Sequence, residues 1–326
     1  MQLENLIRHF RDIQKDVESK DRVHVRHADF NGVTGFERVG IHHMVLPPGK
    51  RTSLPHAESL EEEFVFVISG RPDAWVDGWI HPLRPWDGVG FPAGSAIAHT
   101  ILNNTNEDVE LLVLGERTKK ENQCVFPLHP GLKAEMGNFW WEVSPRRLGP
   151  HSGEPGKVGL HEITHERPPF IMNAMDIEGQ TGWSYPGSTE TFGVFHRFGD
   201  KIGLEKVAVS FERIPLGKRT SWPHVHAVEE EFAFILSGTA KVWLNGNVFE
   251  AGPGTGVAFP PNSGVAHCLI NDGPEPVTFV MVGEPIEGDR INYPMHPSRN
   301  EEMRVRGTFL EFSAPLGAHD GRAMEA

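Results

Sequence analysis

Short apolar runs, each cut off after a few residues by turn-forming residues, account for most of the chain. Val65–Ile68, Ala74–Val76 and Leu111–Leu114 read as strands, as do Ala233–Leu236, Lys241–Leu244 and Val277–Val282. Asp77-Gly78 and Asn245-Gly246 each follow one of these runs, and these dipeptides supply the positive φ angles of a tight hairpin. Only the N-terminus carries a helical period. Leu3, Leu6, Ile7, Phe10, Ile13 and Val17 fall on one stripe with charged residues between them, which predicts one short packing helix.

The pattern occurs twice. Laying residue n over residue n+168 aligns Gly35–Glu116 with Gly203–Glu284 without a gap, and 33 of the 82 pairs are identical, too many for chance. GKRTS recurs at Gly49–Ser53 and Gly217–Ser221, and EEEF at Glu61–Phe64 and Glu229–Phe232. Beyond the central block FPLHP at Phe126–Pro130 answers YPMHP at Tyr293–Pro297, and WWEVS at Trp140–Ser144 answers FLEFS at Phe309–Ser313. Short strands at this spacing, duplicated, predict an all-β chain of two tandem barrels or sandwiches. The Pro-, Gly- and charge-rich stretch 144–169 reads as an exposed linker, which puts one domain at 1–155 and a second at 156–326.

Charge and cysteine content narrow the partners. A formal net charge of −13 repels polyanions, so neither nucleic acid nor an anionic membrane is expected, and a small molecule is. Two cysteines, Cys124 and Cys268, allow at most one disulfide, and no run of about 18 apolar residues is present to span a bilayer. The acids within the first 20 residues argue against a signal peptide, so the expected compartment is reducing and cytoplasmic.

The candidate chemistry lies among the histidines. In the second copy His224 and His226 stand two apart, so on a strand they share a face; Glu231 opens the next strand, and His267 follows downstream. Three imidazoles and one carboxylate suit a mid-series divalent ion such as Mn, Fe, Co or Ni, and can also hold Zn. Glu229 shares the parity of Glu231, which makes it a candidate general base. The plainer reading of Glu229, shared by Glu61, Glu62 and Glu230, is the solvated start of a strand. Lys218 and Trp222 alternate upstream of His224 and are candidate substrate contacts, with a salt bridge to the glutamate run as the plainer reading of Lys218. Cys268 follows His267 and should face away from the metal; Phe232, Phe234, Trp243 and Phe259 read as core. His42, His43, His81 and His296 lie outside this set and read as surface or loop.

The arrangement resembles the cupin superfamily over about 80 residues of each copy. His224, His226, Glu231 and Gly238 match the first cupin motif, with Gly217 one residue further upstream than the pattern asks. Gly254, Pro260, His267 and Asn271 match the second in type, although Asn262 replaces a motif glycine. In the first copy His56, Glu63 and His99 take the positions of His224, Glu231 and His267. Glu58 stands where the second histidine should be, and Trp86 replaces the glycine that opens the second motif. A His2Glu2 set is harder and more anionic; it suits Mn or Fe, or is a retired site.

The resemblance implies a bicupin, two double-stranded β-helix jelly rolls with a metal inside, Mn or Fe first. Dioxygenase- or decarboxylase-like chemistry on a small anionic or oxygenated metabolite follows, with the second copy as the working one. A sugar-phosphate isomerase and a non-catalytic ligand-binding bicupin are the alternatives, and a homo-oligomer is compatible with the sequence.

Overall fold

The computed structural model describes residues 2–18, 21–117, 119–144 and 146–324. Both apolar blocks fold as antiparallel β-barrels. The first has a sheet ordered Ile171–Asn173, Asp87–Phe91, Glu63–Ser69, Val109–Glu116, Val39–Leu46, His24–Asp29, Gln14–Glu18, faced by His99–Leu102, Asp73–Val76 and Trp79–Pro82. The second has Ile7–His9, Thr255–Phe259, Glu231–Ser237, Val277–Gly283, Ala208–Ile214, Val194–Arg197, faced by Lys218–Arg219, His267–Asn271, Ala240–Leu244 and Asn247–Ala251. Registers repeat at the sequence offset: Glu63 pairs with Phe91 as Glu231 pairs with Phe259. The hairpins turn where expected, with φ of 46° and 83° at Asp77-Gly78 and 48° and 79° at Asn245-Gly246, the all-positive turn that matches strand twist.

The N-terminal stripe does not form one helix. Leu3–Leu6 and Phe10–Ile13 are single helical turns, and the residues after them, Ile7–His9 and Gln14–Glu18, are strands. Sheet edges account for the difference. Ile7–His9 pairs with Thr255–Phe259 of the second barrel, while Gln14–Glu18 pairs with His24–Asp29 of the first, and open edges of this kind outcompete a helix only a few turns long. Ile171–Asn173 makes the reciprocal addition, pairing with Asp87–Phe91 of the first barrel. Met1, Ser19 and Lys20 lie outside the described residues.

The barrels share one apolar core. Phe30 packs on Phe232 with ring centroids 5.0 Å apart, and Phe64 on Phe198 at 5.1 Å, both tilted by 59°. Two buried carboxylates lock this interface. Glu230 accepts from the backbone N–H of Glu37, Arg38 and Val39 at 2.7, 3.1 and 2.9 Å, and Glu62 from those of Glu205, Lys206 and Val207 at 2.8, 2.9 and 3.0 Å. Glu62 and Glu230 are therefore not solvated strand starts. Each caps a loop of the opposite barrel, because three converging N–H donors replace the water a carboxylate would otherwise require. Glu61 is also buried and accepts from the backbone N–H of Lys119.

The segment after each barrel returns to it. Arg51 and Arg219, fully buried, donate to the carbonyls of Gly153 and Gly321, and the indoles of Trp75 and Trp243 to those of His151 and His319. Gly246 and Gly317 meet backbone to backbone, where a Cβ on either would fall about 2.5 Å from the other. The stretch 144–169 is accordingly docked at Leu148, Val158 and Ile163, which pack on Trp75 and Ile80, rather than a wholly exposed linker. Trp86 and Asn262, which replace motif glycines, keep positive φ angles of 71° and 50°.

Candidate metal centre

In the second barrel the antiparallel bridge His224–His267 and the two-residue strand Val225–His226 bring three imidazoles to the end of the strand that begins at Glu231. Their Nε2 atoms converge on one oxygen. His267, His226 and His224 stand 2.9, 3.4 and 3.6 Å from Glu231 Oε2. The Nδ1 atoms face acceptors: the Trp222 carbonyl at 2.8 Å from His224, Asp289 Oδ2 at 2.5 Å from His226, and the Val265 carbonyl at 3.5 Å from His267. An imidazole whose Nδ1–H is directed to an acceptor can turn its Nε2 to an ion at the common centre, the orientation that metal-binding histidines require. His267 lies flat on Phe259, ring centroids 3.8 Å apart.

The surroundings are anionic. Burial opposes the Glu231 carboxylate, yet His226 and hydrogen bonds from His224 and His267 hold its pKa well below the usual range. Burial likewise opposes a charge on His226, but Glu231, Asp289 and Glu229 raise it to about 9. Glu229 Oε2 lies 3.6 Å from His226 Nδ1, and burial together with Glu231 lifts its carboxyl to about 8. Three carboxyl groups around the imidazoles seek positive charge, and a divalent cation suits this donor set.

The first barrel assembles less. His56, Glu63 and His99 place ligand atoms within 4.8 Å of one another, with His99 Nε2 at 3.0 Å and His56 Nε2 at 3.9 Å from Glu63 Oε2. Glu58 is not part of this group. Its strand Ala57–Glu58 pairs with Cys124–Val125, and Cys124 Sγ lies 3.6 Å from its carboxyl, which burial and then Glu63 raise to about 7. His42, expected at the surface, stands 2.8 Å from His27 with its pKa pushed down by burial to about 4. His43 and His81 are also buried, His43 stacked between Phe10 and Phe234, and His296 lies flat on Trp222.

A cavity of about 860 Å³ opens onto the second centre and is bordered by His224, His226, Glu229, Glu231 and His267. Lys218 and Trp222 do not border it. The Lys218 ammonium bonds to the Thr191 hydroxyl, and the Trp222 indole donates to Glu190 while its ring stacks on Tyr185 at 4.2 Å. Thr220 and Ser221, on the intervening residues, reach the cavity instead. Cys268 is buried, and both cysteines are free thiols.

Sequence reasoning missed Asp289, Tyr185 and Glu212. Asp289 lies in a loop with no spacing signal. Tyr185 borders the cavity from a stretch of little regular structure. Glu212 had a signal: on the strand Ala208–Ile214, Val209 and Phe211 face the core between the barrels, so Ser210 and Glu212 face inward, two polar residues where a barrel normally packs apolar ones.

Two antiparallel jelly rolls in tandem, each with an inward histidine–glutamate cluster, define the bicupin class. The cupin domain family model matches residues 42–115 and again 210–283, so the chain carries two cupin domains in tandem. Solved structures agree in fold. Oxalate decarboxylase from Lactobacillus farciminis, in a formate complex, superposes with a TM-score of 0.58 at 19% identity over 96% of this chain and 95% of that one. A glyoxylate-induced protein from Pseudomonas aeruginosa gives 0.58 at 16% identity over 85% and 88%. Oxalate decarboxylase from Bacillus subtilis, described with Mn(II) centres, gives 0.55 at 15% identity over 95% and 87%. A comparison with curated proteins finds no match. Among the described residues no helix is long and apolar enough to cross a membrane.

Proposed function

We propose that the second barrel is the working centre of a metal-dependent enzyme in which His224, His226, Glu231 and His267 hold a divalent ion, Mn or Fe, and a small oxygenated anion is transformed beside it. The observation that carries this reading is the convergence of three Nε2 atoms on one Glu231 oxygen, with an acceptor facing every Nδ1. A bound ion would supply Lewis acidity and, for Mn or Fe, redox chemistry with the dioxygenase- or decarboxylase-like outcomes those metals allow. The chain's own groups do the rest. Asp289 fixes the His226 ring, and Glu229, at the cavity wall and 3.6 Å from His226, is placed to act as a general base. Mn(II)-containing oxalate decarboxylase among the structures of like fold supports the choice of metal.

The first barrel is the secondary partner in this reading, since only two imidazoles approach Glu63 where three approach Glu231. A sugar-phosphate isomerase receives no support, because Lys218 is bound to Thr191 and Arg219 to Glu190. The test is turnover of a panel of carboxylates by Mn- or Fe-loaded protein, followed as oxygen uptake and CO2 release. Activity that needs the metal and is lost in Glu231→Gln but kept in Glu63→Gln is the expected result. The opposite order would place the working centre in the first barrel.

A further inference from the structure

The cavity is much larger than a two-carbon diacid requires. At about 860 Å³ it lies in the range of pockets that enclose drug-sized molecules, about 300–1,000 Å³, and its walls are aromatic as well as polar. Trp183 meets Tyr185 edge-on with centroids 4.6 Å apart, and Tyr185 is backed by Trp222. Phe195, also in the cavity wall, lies beneath the Arg197 guanidinium, 5.1 Å from its ring centre. Trp183 is 41% exposed, so a large apolar ring stands open to water at the edge of a cavity, where covering it with a ligand releases free energy. Among these aromatics sits a polar pair. Ser210 Oγ donates to Glu212 Oε1 at 2.7 Å, with Glu212 flanked in register by Phe195 and Phe279. In the first barrel the positions of Phe195, Ser210 and Glu212 are taken by His27, His42 and Met44, so this wall belongs to the second barrel alone.

We propose that this cavity takes an aromatic acid, its carboxylate directed to the histidine–glutamate end, its ring against Trp183, Tyr185 and Phe195, and a ring substituent met by Glu212 and Ser210. This rests on the second barrel being the working centre, and it names the substrate class for it. Glu212 sets specificity. A hydroxyl on the ring can pair with the Glu212 oxygen that Ser210 does not occupy, whereas a bare ring offers that oxygen nothing in exchange for the water it displaces, and this difference discriminates between the two. Arg197 at the rim favours an anionic ligand.

The experiment is isothermal titration of the full chain with salicylate, benzoate and oxalate, with and without Mn(II). Salicylate should bind at least about tenfold more tightly than oxalate, since one aromatic contact adds up to about 1.5 kcal/mol beyond its buried area. Trp183→Ala, on a partly exposed side chain, should weaken salicylate about tenfold and oxalate less than twofold. Ser210→Phe, which fills the wall, should do the same, and Glu212→Ala should narrow the gap between salicylate and benzoate. Salicylate binding no more tightly than oxalate, or a preference that survives both Trp183→Ala and Ser210→Phe, overturns the proposal. The metal reading fails separately: Mn(II) would then change no affinity while the preference for the ring persists.

Discussion

Replacing Glu230 by alanine removes one carboxylate and strands three backbone donors of the opposite barrel. Hydrogen bonds to a charged group contribute about 1.5–3 kcal/mol each. The Val39 N–H is buried and has no substitute, whereas those of Glu37 and Arg38 lie nearer the surface and can turn to water. The expected loss is therefore about 3–5 kcal/mol, a large part of the roughly 5–15 kcal/mol that holds a typical protein folded. Glu230→Gln keeps the shape and one acceptor oxygen and should cost about half as much. Equilibrium urea unfolding of metal-free protein, followed by tryptophan fluorescence and circular dichroism, measures both. Because Glu62 closes the same interface from the other side, Glu62→Ala combined with Glu230→Ala should cost less than the sum of the two, by more than about 0.5 kcal/mol. A Glu230→Ala cost below about 1 kcal/mol, or strict additivity, would show that these carboxylates do not lock the barrels together.

Arg219→Ala should destabilise by about 2–4 kcal/mol and free the segment around Gly321 for limited proteolysis, since it removes the buried donor to that carbonyl and the partner of Glu190. Glu212 gives a pH signature. Burial, only partly offset by Ser210, raises its carboxyl from 4.5 to about 7, so the folded chain keeps a proton that the unfolded chain loses, and stability falls as pH rises from 4.5 to about 7. Glu212→Gln should remove this fall, worth up to about 3 kcal/mol, as read from melting temperatures between pH 5 and 8. An unchanged slope would show the group to be solvated. Glu58→His supplies the ligand type the first barrel lacks and should raise Mn(II) stoichiometry from one toward two per chain, measured by equilibrium dialysis.

Much of this was legible in the sequence because duplication and motif spacing are local properties. The offset of 168 residues carried the strands and both hairpins, and it aligned the histidines and glutamate that the second barrel brings near one another. What failed depended on contacts between distant segments. The stripe from Leu3 to Val17 has a helical period, but each half meets the edge of a different barrel, and no window of sequence shows an edge. Glu62 and Glu230 read as solvated because nothing nearby in the chain pairs with them; their donors lie more than 140 residues away. Lys218 and Trp222 were placed at the cavity by strand alternation, yet the regular strand covers only Lys218–Arg219, and the parity does not carry through to Pro223. Glu212 was readable in principle from the inward parity of its strand. It was overshadowed by motifs that point to the metal alone.

The central claim, that His224, His226, Glu231 and His267 form one divalent metal site, is tested most directly by Mn(II) binding to the full chain, followed by electron paramagnetic resonance and by metal analysis after dialysis. The wild type should retain one tightly bound ion per chain, with hyperfine signals from nitrogen ligands. His226→Ala should lose that ion, while His56→Ala keeps it. Retention of the same ion and signals in His226→Ala, or its loss in His56→Ala alone, would contradict the account.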